Sequence, residues 1–444
     1  MNALRKARLD RGWSQARAIA QLQHQAQDAG VTLPAASSLK TQLSRWENGH
    51  RLPDVFYRRL FELIYARSSA QLGIDEVDIE PAMNVGSTWE ECVSAASQLW
   101  KTDLDRRDFL KAAVFVAGGY AAPSLHALVS SAATEPARAF GAVNVSGAQV
   151  GVINDMTKHL AALDNRHGAG QVRRAAVSFL DAEVSPLLTD GRFSPGVGRS
   201  LFRATAELTR LVGWMTHDIG RHGLAQRYLI QALSLSEAAG DRALMAETLA
   251  AMSQQATYMN EPREGVDLAR GARALAEREG LSALVAETSV MEAHGHARAG
   301  DPRACTAALS RAEVALDRAD RSADPDWIAY FDEAYLSAKF GHCLRELGDH
   351  DQALAFAERS LQMDEGYDRG RTFNLILVAH CHAQAGEVEA ACAVGRQAAT
   401  AATSVQSHRV VKHLKDLRRV LRHADGTAEV EALDSDLAPV LTAA

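Results

Sequence analysis

"GWMTHDIGRHGLAQRYLIQALSLSEAAGD" runs from Gly213 to Asp241 and sets a pattern that the following residues repeat. Take Gly220 as its midpoint. A small residue stands seven positions before it (Gly213), and small residues stand five and twelve positions after it (Ala225, Ala232). A large one, Tyr228, stands eight after. Four further midpoints, Asn260, Gly300, Gly348 and Gly386, follow at intervals of 40, 40, 48 and 38 residues. Their seven-before residues are Ser253, Ala293, Gly341 and Ala379, and their five-after residues are Gly265, Cys305, Ala353 and Ala391. Their twelve-after residues are Ala272, Ala312, Ser360 and Ala398. Alanine-rich segments poor in β-branched residues favour helix, and glycine or asparagine suits a tight turn between two helices. Each unit therefore reads as two antiparallel helices. The small residues let the pair approach closely, and the eight-after residue (Leu268, Ala308, Phe356 and Val394 in the later units) fills the next groove.

This spacing resembles the tetratricopeptide repeat, lengthened from ~34 residues per unit to about 40. The usual early Trp and the Tyr before the turn are absent, so the likeness is to a divergent class. Gly213–Asp241 in particular is similar to the sensory half of actinobacterial regulators. The resemblance implies an α-solenoid whose concave face is lined by the first helix of each pair. It places Trp214, Gln254, His294, His342 and His380 in that groove, with Glu207, Glu247 and Glu287 toward one end. His217, Tyr258, Arg298 and Arg345 join them near the turns. The expected occupant is a peptide, a protein or a small molecule. No metal is expected: "HCH" at 380–382 and "HC" at 342–343 offer zinc-type ligands, but adjacent helical residues diverge by ~100° and do not converge on one ion. No catalytic constellation and no cofactor motif stands out.

The chain's charge is divided. Its net −7 splits into +6 over residues 1–73 and −13 over the remainder. A small basic head on an acidic body points to nucleic acid at the head alone. Within the head, Ala3 to Asp10 reads as a short helix ended by Gly12, and Ser14 as the cap of a second helix. A third helix begins at Ser37 or Ser38, buries Leu39, Leu43 and Trp46, and leaves Lys40, Thr41, Gln42, Ser44 and Arg45 outward. Pro53-Asp54 opens a fourth helix with an inner stripe of Phe56, Leu60, Leu63 and Ile64. Short polar and basic side chains on one helix face suit a major groove.

"WSQ" at 13–15 and "LSRWENGHRLPD" at 43–54 resemble the XRE-type helix-turn-helix of phage-repressor-like regulators. The spacing between the two blocks is longer than is usual there, the excess lying around "QAQDAGVTLPAAS". Carried over by position, the resemblance implies base contacts from Lys40, Thr41 and Arg45. It implies phosphate or base-edge contacts from Gln15 and Asn48, and phosphate contacts from Arg51 and Arg58. One such head reads a half-site, so a homodimer on a palindromic double-stranded operator is expected.

Between head and repeats lies "DRRDFLKAAVFVAGGYAAP", residues 105–123. Its twin arginine and uncharged run read like an export signal, yet they begin a hundred residues into the chain and are not expected to be presented as one. An apolar helix over 106–121 is expected instead, packed on the first repeat pair or on a second subunit. No run reaches the ~20 apolar residues of a membrane helix. Five cysteines without a C-x-x-C suit free buried thiols in a cytoplasmic protein.

The expected fold is all-α: a helix-turn-helix domain over 1–73, a helical joint over 74–145, and a repeat domain for sensing and dimerisation over 146–444. The expected function is sequence-specific DNA-binding regulation of transcription. The alternative is a protein-interaction scaffold using the groove, with no sequence-specific DNA binding.

Overall fold

Every repeat midpoint turns with a positive φ in the computed structural model: Gly220, Asn260, Gly300, Gly348 and Gly386 lie between 65° and 83°. The structure describes residues 3–28, 33–34, 36–48, 53, 55–65, 67, 72, 88–104, 114–129 and 135–442. The chain divides into two compact units, Met1–Pro81 and Ala82–Ala444. The described residues are mostly α-helical.

The first unit holds α1 (Ala3–Asp10), α2 (Gln15–Asp28), α3 (Ala36–Glu47) and α4 (Val55–Tyr65). Gly12 closes α1 with φ 65°, and the Ser14 hydroxyl accepts from the Arg17 N–H at 3.2 Å, as a capping residue should. Leu4, Ile19, Leu22, Leu39, Leu43 and Leu60 fill the centre. Trp46 packs on Tyr57 and edge-on to Phe61, with ring centroids 4.7 and 5.6 Å apart. Two expectations change. The third helix starts at Ala36, before either serine. Leu63 is 59% exposed, because the buried stripe of α4 runs through Tyr57, Leu60, Phe61 and Ile64, leaving residue 63 on the far side.

The second unit begins with α5 (Trp89–Leu104) and α6 (Ala121–Val129). The expected helix over 106–121 is corrected in its described part: residues 105–113 lie outside the described residues, 114–116 belong to no helix or strand, and Gly118 turns with φ 73° before α6 begins. The reason is local. Gln226 pairs with both backbone groups of Val116 at 2.9 Å, and Glu264 accepts the N–H groups of Gly118 and Tyr120. The segment thus lies on the second helices of the first two repeats.

Next come α7 (Gly147–His167), α8 (Ala169–Phe179), a π-helical turn at Leu180–Val184 and α9 (Ser185–Thr189). Two short strands, β1 (Val143–Asn144) and β2 (Gly191–Arg192), pair in parallel.

Five helical hairpins follow: α10 (Pro195–Asp218) with α11 (His222–Ala239), α12 (Arg242–Tyr258) with α13 (Pro262–Glu279), and α14 (Ser282–Arg298) with α15 (Pro302–Asp317). Then come α16 (Glu333–Leu347) with α17 (His350–Arg359) and α18 (Asp368–Ala385) with α19 (Val388–Ala402). The last pair is α20 (His408–Val420) and α21 (Ala428–Thr442). A recurring Gly-Asp dipeptide writes several of the joints. The glycine ends one helix in the left-handed conformation, and the aspartate caps the next: Asp241, Asp301 and Asp349 each accept the N–H three residues on. The small positions sit where the helices touch. A Cβ at Gly265 would meet the Thr257 hydroxyl at 2.2 Å, and Ala232, Ala272, Ala312, Ser360 and Ala398 are all fully buried.

The first helices of successive hairpins pack on one another, from α10 through α12, α14, α16 and α18 to α20. Helix α7 packs on both α10 and α18, so the row returns on itself. Gln406, just before α20, bonds through its backbone to His167 and Gly170.

Candidate functional site

On α3 the expected DNA-facing residues separate. Lys40 and Arg45 are exposed. Gln42 is half-buried with its side-chain oxygen enclosed and unpaired, so it does not share their outer face. Ser44 is half-buried and its hydroxyl accepts from the exposed Asn48 at 3.4 Å. Thr41 and Arg58 lie on α3 and α4, but their side chains, and all of Arg51, fall outside the described residues.

Gln15 has a structural partner. Its amide donates to Glu47 at 3.0 Å, inside a buried knot in which the Arg8 guanidinium spans both Glu47 oxygens and also donates to the Trp13 carbonyl. The knot ties α1, α2 and α3 together and so holds α3 in place.

In the second unit, the expected groove residues face an interior. At one end, Arg210 donates to Glu247 at 2.7 Å, and Tyr330 donates to both Glu247 and Glu287. Burial, then the charge of Glu247, holds the Glu287 carboxyl well above the usual range. A proton kept on Glu287 supplies the donor that the remaining oxygens of the two acids otherwise lack. Burial also raises half-buried Glu207.

A second cluster was unforeseen. Arg409, from α20, enters the groove, and its guanidinium stands 5.2, 5.6 and 4.9 Å from the ring centroids of Trp214, Tyr258 and Phe373. A desolvated cation among aromatic faces gains ~2 kcal/mol or more. Part of the expected groove lining is therefore covered by the chain's own Arg409. Behind it, Asp218 lies 3.7 Å from both Arg409 and Arg369 and accepts from Ser407, while Asp164 accepts from Arg369 at 3.0 Å. Burial raises the Asp164 carboxyl to about 6 in spite of Arg369. This network joins α7, α10, α18 and α20.

The histidines form the third cluster. His217 meets His222 ring nitrogen to ring nitrogen at 3.1 Å. His294 and His342 lie 6.4 Å apart, and His380 contacts the His413 carbonyl. Burial, joined by neighbouring cations, lowers them all: His294 to about 3, His380 and His222 to about 4, and His217, His342 and His413 well below their ordinary value. All are neutral near pH 7. Arg298 and Arg345 pair with Glu346 at 3.0 Å. Gln254 is half-buried.

Tyr258, His294, Tyr335 and His342 are only half-buried by water access, yet burial leads every shift in their titration. Several groups in these clusters lack a hydrogen-bond partner: His217 Nε2, His294 Nδ1, the Tyr258 hydroxyl and Arg409 Nε.

Sequence reasoning missed Arg409, which is remote from every residue it touches, and also Lys339. For Lys339 a signal existed: nine residues before the midpoints stand Leu211, Ala251, Met291 and Leu377, and only the fourth unit breaks that apolar series with a lysine. Among the described residues, no group of three or more His, Cys, Asp or Glu is placed to hold a metal ion, and no helix is long and apolar enough to cross a membrane. The five cysteines are buried free thiols. Comparison with protein-family models and with curated protein sequences finds no match.

Proposed function

We propose that the chain is a DNA-binding regulator of transcription of the XRE helix-turn-helix kind, acting as a homodimer on a palindromic operator. Its helical-hairpin body, a tetratricopeptide-like solenoid in this reading, senses a signal in its enclosed groove. The observation that carries the reading is the outer face of α3. Lys40 and Arg45 stand exposed there within residues 1–73, which carry a surplus of six positive charges, while Leu39, Leu43 and Trp46 fix the opposite face in the core. Arginine gripping guanine, and lysine reaching base or phosphate, is the chemistry such a helix offers a major groove. The acidic body repels a polyanion everywhere else.

The test is selection of genomic DNA fragments by the full-length protein at near-physiological salt, beside the Lys40→Ala/Arg45→Ala variant. Each lost bidentate base contact is expected to cost ~1–3 kcal/mol of discrimination. A shared, two-fold motif enriched by the wild type alone is the expected result. Equal, motif-free recovery by both proteins would sink the reading and leave a scaffold with salt-dependent, sequence-blind binding.

A further inference from the structure

Each arginine of the interior clusters stands beside a carboxylate, and one lysine does not. Arg210, Arg298, Arg345, Arg369 and Arg409 each have a carboxylate within 3.7 Å. Lys339 has none. It lies on α16, is 8% exposed, and has no hydrogen bond or ion pair among the described residues; its ammonium stands 5.2 Å from the centroid of the Tyr335 ring. Burial and the charge of Arg409 lower it to about 8, and its own charge helps to keep His294, His342 and His217 neutral. Lys339 is thus the common neighbour of the groove's histidines and of Arg409.

An isolated buried ammonium is costly, and folded chains pair such groups or leave them out. This sequence instead puts the lysine where four other units carry an apolar residue. Its charge acts on His217, His294 and His342, and that of Arg409 acts on it; among these, His217 Nε2, His294 Nδ1 and Arg409 Nε lack hydrogen-bond partners. A neutral histidine can turn either nitrogen into a donor by choice of tautomer. Cation and donors together are what an anionic oxygen requires. The Tyr335 ring offers an apolar wall beside the ammonium.

We infer that Lys339 is the recognition residue of an internal anion site, which takes a small molecule bearing a carboxylate or a phosphate as the missing counter-ion. The inference deepens the sensor reading by naming the class of signal, and it rests on that reading for its purpose. Cationic ligands are disfavoured there, since Arg409 already occupies the aromatic cage.

The test is thermal unfolding of the full-length protein in two titrations, one with inorganic phosphate and one with citrate, at constant ionic strength against sodium chloride. A ligand that binds only the folded chain raises Tm with its concentration. At least one anion is expected to give a saturating rise of several degrees, and the one that does so separates phosphate from carboxylate chemistry. Lys339→Met is expected to abolish the rise, and without ligand to melt higher than the wild type because the unpaired charge is gone. Lys339→Gln replaces it should the methionine variant fail to fold. No rise beyond chloride in either titration overturns the inference, as does a rise of wild-type size in the variant that folds. Neither outcome touches α3, so the operator selection and the anion titration fail separately.

Discussion

Both units bury a charged cluster, and the two clusters end differently. In the first unit the Arg8–Glu47 pair is closed: two guanidinium nitrogens meet both carboxylate oxygens, the third donates to the Trp13 carbonyl, and Gln15 completes Glu47. In the second unit the cluster around Arg409 and Lys339 leaves nitrogens and a hydroxyl without partners. A closed cluster fixes geometry, and here it fixes the helix that carries Lys40 and Arg45. A cluster that leaves buried polar groups without partners carries a cost in stability.

The largest effect is expected from opening the closed cluster. Glu47→Ala leaves Arg8 charged and buried without a counter-ion, which costs about 3–5 kcal/mol. The loss should be confined to the first unit. Hydrogen exchange of the full chain should show α2 and α3 deprotected while the repeat helices stay protected. Uniform protection of both units would mean that the knot is dispensable.

The open cluster is sharpened by pH. Its histidines have folded-state pKa values below the unfolded value near 6.5, so the unfolded chain binds more protons on the acid side. Their contribution is present above about pH 6.5 and is lost as pH falls, by about 1.4 kcal/mol per pH unit for each histidine still neutral in the fold. Glu287 has the opposite slope. Its raised carboxyl pKa means that stability falls as pH rises from the unfolded value near 4.5 toward the folded one. Tm measured from pH 5 to pH 8 should climb steeply from the acid end, and Glu287→Gln should raise Tm more at pH 8 than at pH 5. A flat acid limb would mean that the histidines are charged in the fold, contrary to the neutral interior described.

The repeats were legible because the pattern is local: small residues at fixed offsets, and Gly-Asp joints that serve as end and cap within two residues. The four helices of the head were legible for the same reason, through Gly12, Ser14 and the Leu39–Leu43–Trp46 spacing. What escaped were contacts between distant residues. Arg409 joins Trp214 and Tyr258 across well over a hundred residues, and no periodicity near Arg409 marks it as a groove filler. Within the helix expected over 106–121, the described residues 114–120 are not helical; their apolar composition was read without their partners. Gln226 and Glu264 claim the backbone groups a helix would have used, and Gly118 supplies the turn. Gln15, expected at a phosphate or base edge, also donates its amide to Glu47, a partner on another helix that no local pattern marked.

Packing positions and turn positions of the same hairpins should also separate in mutation. Gly265→Ala places a Cβ 2.2 Å from the Thr257 hydroxyl and 3.1 Å from the Ser253 carbonyl, at a contact between two helices. Overpacking of this kind costs ~1–3 kcal/mol. Gly300→Ala meets nothing within 4 Å, so its cost is the left-handed backbone alone at φ 74°, roughly 1–2 kcal/mol. Urea midpoints of the two variants measure the difference. A milder effect at Gly265 than at Gly300 would mean that the hairpin contact yields more readily than its turn.

The smallest effect is expected at Asn260, the one non-glycine residue with a positive φ among the described residues. Asparagine tolerates this region better than other side-chain-bearing residues, because its short amide finds local partners; here the side-chain oxygen accepts from Arg298 at 3.3 Å. Asn260→Gly removes the Cβ from a left-handed turn and loosens the unfolded chain. The two terms oppose, so a change within about 0.5 kcal/mol is expected. Asn260→Ala keeps the Cβ and loses the amide, and should cost on the order of 1 kcal/mol. If alanine were tolerated as well as glycine, the turn would owe its shape to the helices on either side, and the midpoint spacing would mark the repeats without building them.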